Sequence, residues 1–117
     1  MELDEEFTKL LRTNVIGNIH LFNSFMPQVL KSKVKKVVTI SSGMGDMDFV
    51  KDYDISMAPL YSASKAAMNM IAAKFSAQYK ERGVLFLSIC PGIVDVGHFE
   101  SGKPYTHGTP RFLNPPN

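Results

Sequence analysis

Tyr61 and Lys65 stand four residues apart in Pro59-Leu-Tyr-Ser-Ala-Ser-Lys. On a helix, positions i and i+4 share one face, which brings the ammonium beside the phenol. A neighbouring positive charge stabilises phenolate over phenol. That makes a tyrosine, ordinarily too weak an acid, a usable general acid or base near neutral pH. Upstream, the run Lys36-Val-Val-Thr-Ile-Ser41-Ser42-Gly43 closes on two hydroxyls. A hydroxyl at a strand end, next to an activated tyrosine, can hydrogen-bond a substrate carbonyl.

The elements that must position these groups are legible. Residues 4–31 form an expected long amphipathic helix, with Phe7, Leu11, Val15, Ile19, Phe22, Met26 and Val29 at helical spacing. Asp4 is its expected cap, and Glu5 and Glu6 suit the positive end of its dipole. Asn14 and Gly17 interrupt it with poor helix formers, and Pro27 is placed to perturb its last turns. Residues 36–41 and 84–90 read as strands, 43–57 as a loop and 59–82 as a second helix. Pro59 suits that helix's first turn and Gly83 its stop. Residues 91–117 hold five prolines and four glycines, which indicates irregular structure.

A strand, a helix and a strand in this order make a right-handed parallel crossover. The near-continuous apolar strands imply burial on both faces. Right-handed connections put the two helices on the same face of the sheet, so the other face has no cover. Two parallel strands also leave two unpaired edges. The chain therefore calls for neighbours it does not contain. Helix 59–82 adds Met68, Ile71, Ala72 and Phe75, beside Ala67 and Met70, and the first helix adds Phe22, Phe25 and Met26. That apolar surface exceeds what one small sheet face buries, and it predicts self-association.

Four ordered segments resemble the short-chain dehydrogenase/reductase family. They are Thr13-Asn14-Val15-Ile16-Gly17, Ile40-Ser41-Ser42-Gly43, Tyr61-Ser-Ala-Ser-Lys65-Ala-Ala and Cys90-Pro91-Gly92-Ile93-Val94. A Tyr-x-x-x-Lys alone is a weak signal; four elements in order are a strong one. The resemblance covers residues 5 to about 100.

It implies an α/β fold: a partial Rossmann-like doubly wound parallel sheet, as a helix-strand-helix-strand fragment over residues 1–96, with an irregular tail over 97–117. It implies an NAD- or NADP-dependent oxidoreductase acting on a small-molecule carbonyl or secondary alcohol. Tyr61 would exchange the proton with the substrate oxygen. Lys65 would support the phenolate and hold the nicotinamide ribose. Ser42 would polarise the carbonyl, and Asn14 would hold a proton-relaying water. Pro91, Gly92 and the backbone at Val94 would border the cofactor with Tyr61 and Lys65. Val96 stands where the family often has a cofactor-bonding threonine.

The family's glycine-rich phosphate loop has no counterpart in this sequence, so the chain reads as the catalytic half of such an enzyme. The implied alternative is an inactive fragment or a partner subunit that docks on a full-length relative through its two helices, or pairs with a copy of itself. Two plainer roles stay open from the residues alone: Ser42 as a turn cap and Asn14 as a helix kink.

Composition bounds the rest. The 117 residues suffice for one domain, with 44% hydrophobic content and a net charge of +2. That charge does not indicate a nucleic-acid partner, and the cluster at Lys31, Lys33, Lys35 and Lys36 reads as a solvated connection. The longest apolar stretch, Val84-Leu-Phe-Leu-Ser-Ile-Cys90, is too short to cross a membrane. The N-terminal Met-Glu-Leu-Asp-Glu-Glu-Phe lacks the apolar core of a secretory signal. The single cysteine, Cys90, forbids an internal disulfide and is expected packed within its strand. A cytoplasmic location is the default. Asp46, Asp48, Asp52 and Asp54 show no metal-ligand spacing, and neither do His20, His98 and His107; they are read as solvated or structural.

Overall fold

A computed structural model describes residues 2–92. Helix α1 (Glu2–Leu11) runs into a five-residue π-helical turn, Arg12–Ile16, and continues as α2 (Gly17–Lys31). Strand β1 (Lys36–Ile40) leads through a 3₁₀ turn at Gly43–Gly45 to the short helix α3 (Met47–Asp52). Helix α4 (Pro59–Tyr79) and a 3₁₀ turn at Lys80–Arg82 lead to strand β2 (Leu85–Ile89).

The expected first helix is thus interrupted at its centre, and local bonds account for part of this. The Gly17 N–H donates to the Arg12 carbonyl, five residues back, which opens a wider π turn. The side-chain amide of Asn18 donates to the Asn14 carbonyl at 2.8 Å. Asp4 lies inside α1, which already starts at Glu2. Pro27 lies inside α2 without ending it.

The segment expected as a loop, 43–57, also differs. Asp46 accepts from the Phe49 N–H at 2.8 Å and caps α3, a six-residue helix too short for periodicity to reveal. Helix α4 behaves as its sequence indicates. Pro59 occupies the first turn after Ala58 in the left-handed region (φ 50°), and Gly83 (φ 77°) closes the following 3₁₀ turn.

The β-branched run Val37-Val38-Thr39-Ile40 favours a strand. It pairs in parallel with β2, Val38 opposite Leu87 and Ile40 opposite Ile89. Alternation sends Val37, Thr39 and Phe86 toward the helices and the other set away. The core lies on the helix side, where Val15, Phe22, Met68 and Ala72 pack with Ile19, Val37, Ile71, Phe75 and Phe86. Phe22, Phe75 and Phe86 make edge and tilted ring contacts at 5.0, 5.6 and 6.1 Å, which join α2, α4 and β2. Thr39, 7% exposed, shares a 2.8 Å hydrogen bond with Ser88 across the strands.

The far sheet face carries Val38 and Ile40 at 50% and 61% exposure, beside exposed Leu85, Leu87 and Ile89. No described residue covers it, so among the described residues burial on both strand faces is not met. The helices depart from expectation. Met68, Ala72, Phe22 and Met26 are buried within the chain because α1, α2 and α4 pack on one another; only Phe25 and Met70 of the expected set stand well exposed. A groove of about 280 Å³, lined by Phe22, Phe25, Met26, Val29 and Val37, runs between α2 and β1. No helix among the described residues is long and apolar enough to cross a membrane.

Candidate active site

The site is assembled around the first turns of α4. Tyr61 and Lys65 lie one helical turn apart, both half-buried. The Lys65 ammonium sits 5.8 Å from the centre of the Tyr61 ring, within cation–π range. It donates to the Ile40 carbonyl, the last of β1, at 3.0 Å. An ammonium has three donors. After this bond two remain, enough to meet a pair of vicinal ribose hydroxyls.

Ser41 and Ser42 follow Ile40 directly and point to different tasks. The Ser41 hydroxyl donates to the Asn69 side-chain oxygen on α4 at 2.7 Å. The Ser42 hydroxyl accepts from the Met44 N–H at 3.2 Å and caps the 3₁₀ turn. Capping uses an acceptor site of the oxygen and leaves its proton to donate. The plainer expectation for Ser42 is therefore met without removing its capacity to bond a carbonyl.

The 3₁₀ turn itself rests on α4. A Cβ at Gly45 would come within 2.9 Å of Lys65 and Ala66 backbone atoms, so only glycine permits this approach. A cavity of about 610 Å³ opens beside the strand ends, walled by Ser41, Ser42, Phe49, Tyr53, Asn69 and Cys90. Phe49 and Tyr53 of α3 and its C-terminal end make a tilted ring contact at 4.8 Å along it. Ser42 is on this wall; Tyr61 and Lys65 are not.

Asn14 reaches α4 from the π turn. Its side-chain nitrogen donates to Ser64 Oγ at 3.0 Å, and Ser64 donates to the Tyr61 carbonyl at 2.7 Å. Asn14 is therefore more than a kink. Ser64, fully buried, is by sequence only a spacer in the Tyr61–Lys65 motif. A signal for it does exist there: it shares a helical stripe with Met68 and Ala72, and a hydroxyl on a buried stripe needs a partner.

Cys90 corrects an expectation. It lies one residue beyond β2, exposed, and its sulfur accepts from the Gly43 N–H at 3.2 Å. Pro91 and Gly92 are exposed at the same strand end, Gly92 with φ 74°. Val94, Val96, His98, His107 and the tail 97–117 lie outside the described residues.

Comparison with known proteins identifies the family. A family model described as short chain dehydrogenase matches residues 1–104. A short-chain dehydrogenase/reductase of Pestalotiopsis fici is 57% identical over 103 residues, 88% of this chain and 38% of that protein. A short chain dehydrogenase of Hypocrea virens is 50% identical over 103 residues, again 88% and 38%. The crystal structure of a short-chain dehydrogenase from Streptomyces avermitilis superposes with a TM-score of 0.63 at 27% identity, covering 77% of this chain and 32% of that one. The chain thus spans well under half the length of these relatives.

Proposed function

The chain belongs to the short-chain dehydrogenase family, and on that premise we propose that it carries the proton-transfer half of an NAD- or NADP-dependent oxidoreductase site for a small carbonyl or secondary alcohol. The observation that carries this is the convergence on α4: Lys65 beside Tyr61 and tied to the β1 end, with Ser42 two residues beyond the tie. The α/β architecture, a small parallel sheet under helices, is that of the family's Rossmann-type fold.

Tyr61 gives its proton to the carbonyl oxygen in reduction and takes it back in oxidation. Lys65 keeps its ammonium 5.8 Å from the centre of the Tyr61 ring. Ser42 donates to the same substrate oxygen while its own oxygen accepts from Met44, an arrangement that strengthens the outgoing hydrogen bond. Asn14, whose amide donates to Ser64 beside the Tyr61 turn, takes from the family resemblance the role of holding a water that relays protons to Lys65. When bound, a nicotinamide supplies or accepts the hydride. The two remaining Lys65 donors suit its ribose, Pro91 and Gly92 stand exposed at the strand end, and the family resemblance gives the backbone at Val94 the carboxamide. Among the described residues no glycine-rich loop opens a helix to receive its pyrophosphate. A cytoplasmic location fits this small-molecule chemistry.

The bare sheet face and the apolar groove beside β1 favour a second role, association with another copy or with a longer relative. Turnover tests the first reading. The chain is assayed alone, and also grafted over the matched 103 residues of the Pestalotiopsis fici protein, by nicotinamide absorbance against ketones and secondary alcohols. Grafts without turnover, alongside an active parent, would refute it.

A further inference from the structure

Ser64 is fully buried on the stripe that continues through Met68 and Ala72. Its two hydrogen bonds run in one direction. The Tyr61 carbonyl can only accept, so the single Ser64 proton goes there at 2.7 Å. Ser64 must then accept from its other neighbour, which orients the Asn14 amide with its nitrogen inward at 3.0 Å. Asn14 can reach because it sits at the centre of the π turn, and the Asn18 amide occupies its carbonyl at 2.8 Å. The link spans 50 residues of sequence and joins the interrupted helix to the turn of α4 that holds Tyr61 and precedes Lys65.

We propose that Asn14 and Ser64 are a positioning pair: the π turn fixes the rotation of the first turn of α4, and with it the Tyr61–Lys65 face. This rests on the oxidoreductase reading above. Packing alone would not call for a hydroxyl at 64, since the same stripe is filled by Met68 and Ala72 without polar atoms. The directed chain makes a specific demand: position 14 must donate. An aspartate side chain there would offer the same shape with acceptors only.

The test is amide hydrogen exchange on the full 117-residue chain. Asn14→Asp and Ser64→Ala are each expected to speed exchange about tenfold in residues 62–65, with no change at 75–79 of the same helix. Ser64→Thr, which keeps the hydroxyl, is expected to stay near wild type there. The double variant Asn14→Ala/Ser64→Ala should be no worse than either single change. Should Ser64→Ala not fold, Asn14→Asp is read by itself, because its isosteric side chain lies in a half-buried position. Unchanged exchange in residues 62–65, or equal acceleration along all of α4, overturns the proposal.

In the turnover assay the same variants are expected to lower kcat about tenfold while the carbonyl KM stays within about twofold. Loss in KM alone also overturns it. Failure of the wild type to turn over refutes the oxidoreductase reading, while exchange still decides whether the pair positions the turn.

Discussion

The Lys65 ammonium donates to the Ile40 carbonyl at 3.0 Å, and this bond ties the helix bearing Tyr61 to the strand that ends in Ser41 and Ser42. It gives one side chain two duties, holding strand to helix and placing charge beside a phenol. The structural share should be separable. Lys65→Met is expected to lower unfolding free energy by about 1 kcal/mol, since it removes one partly exposed hydrogen bond. It should also remove turnover in the grafted protein. Urea denaturation and steady-state kinetics check the two parts; loss of stability with full activity would take Lys65 out of the site.

Tyr61→Phe separates chemistry from binding. The ring and its contact with Lys65 stay, while the transferable proton goes. Turnover in the grafted protein is expected to fall by about 10²- to 10⁴-fold with nicotinamide affinity little changed. Stopped-flow reduction and fluorescence titration measure the two quantities. A mild loss, equal to that of a surface substitution, would show that another group moves the proton.

Gly45 marks a close approach that no side chain can share. A Cβ there would meet Lys65 and Ala66 at 2.9 Å, against backbone that cannot step aside. Gly45→Ala is expected to cost about 1–3 kcal/mol and to displace the 3₁₀ turn together with the Ser42 hydroxyl that caps it. Gly43→Ala meets only the Phe49 ring, at 3.1 Å, which can rotate, so it should cost less. Thermal melts of the two variants, compared side by side, decide the point.

These contacts show why the sequence revealed some parts and hid others. Tyr61, Lys65 and the strands carry local signals: i+4 spacing, β-branched runs, and Pro and Gly at the ends of α4. The two-strand parallel pairing and the uncovered sheet face follow from chain order and alternation. The π turn does not, because part of what holds it is a long-range partner: Asn14 reaches Ser64 across 50 positions. Helix α3 is hidden by its length, six residues held by one Asp46 cap. The apolar faces of the two long helices read as an outer interface in the sequence, whereas Phe22, Met26, Met68 and Ala72 of those faces are buried within the chain. Periodicity counts the apolar stripe but not its partner, and Phe22, Met68 and Ala72 find theirs in each other.

Nicotinamide binding by the 117-residue chain itself is expected to be weak, with dissociation constants above the micromolar range. In the proposed reading, the Tyr61–Lys65 turn meets one end of the dinucleotide. Most of its binding free energy comes from a pyrophosphate cradled by backbone amides at a helix N-terminus, and the described residues show no such cradle. Calorimetry with NADH and NADPH measures this; micromolar affinity for either would locate a phosphate site elsewhere in the chain.

The last expectation concerns the bare sheet face. Val38 stands opposite Leu87 and Ile40 opposite Ile89, so the exposed side chains form one contiguous apolar strip with Leu85 at its end. Among the described residues, the outer edges of β1 and β2 bear no partner strand. Apolar strips bounded by free strand edges drive association, because neighbouring chains can bury the one and pair with the other. The chain is therefore expected to sediment as an oligomer at low micromolar concentration. Val38→Glu with Leu87→Lys places opposite charges on a cross-strand pair at the centre of the strip, which keeps the two strands compatible while making burial costly. That double variant should shift the population toward monomer without loss of helix content by circular dichroism. Phe25→Ser and Met70→Ser, on the helices, should not, because the helix faces are mostly spent on the internal core. The reverse pattern would return the interface to α2 and α4, and a compact wild-type monomer would mean that the strip finds its cover within the chain.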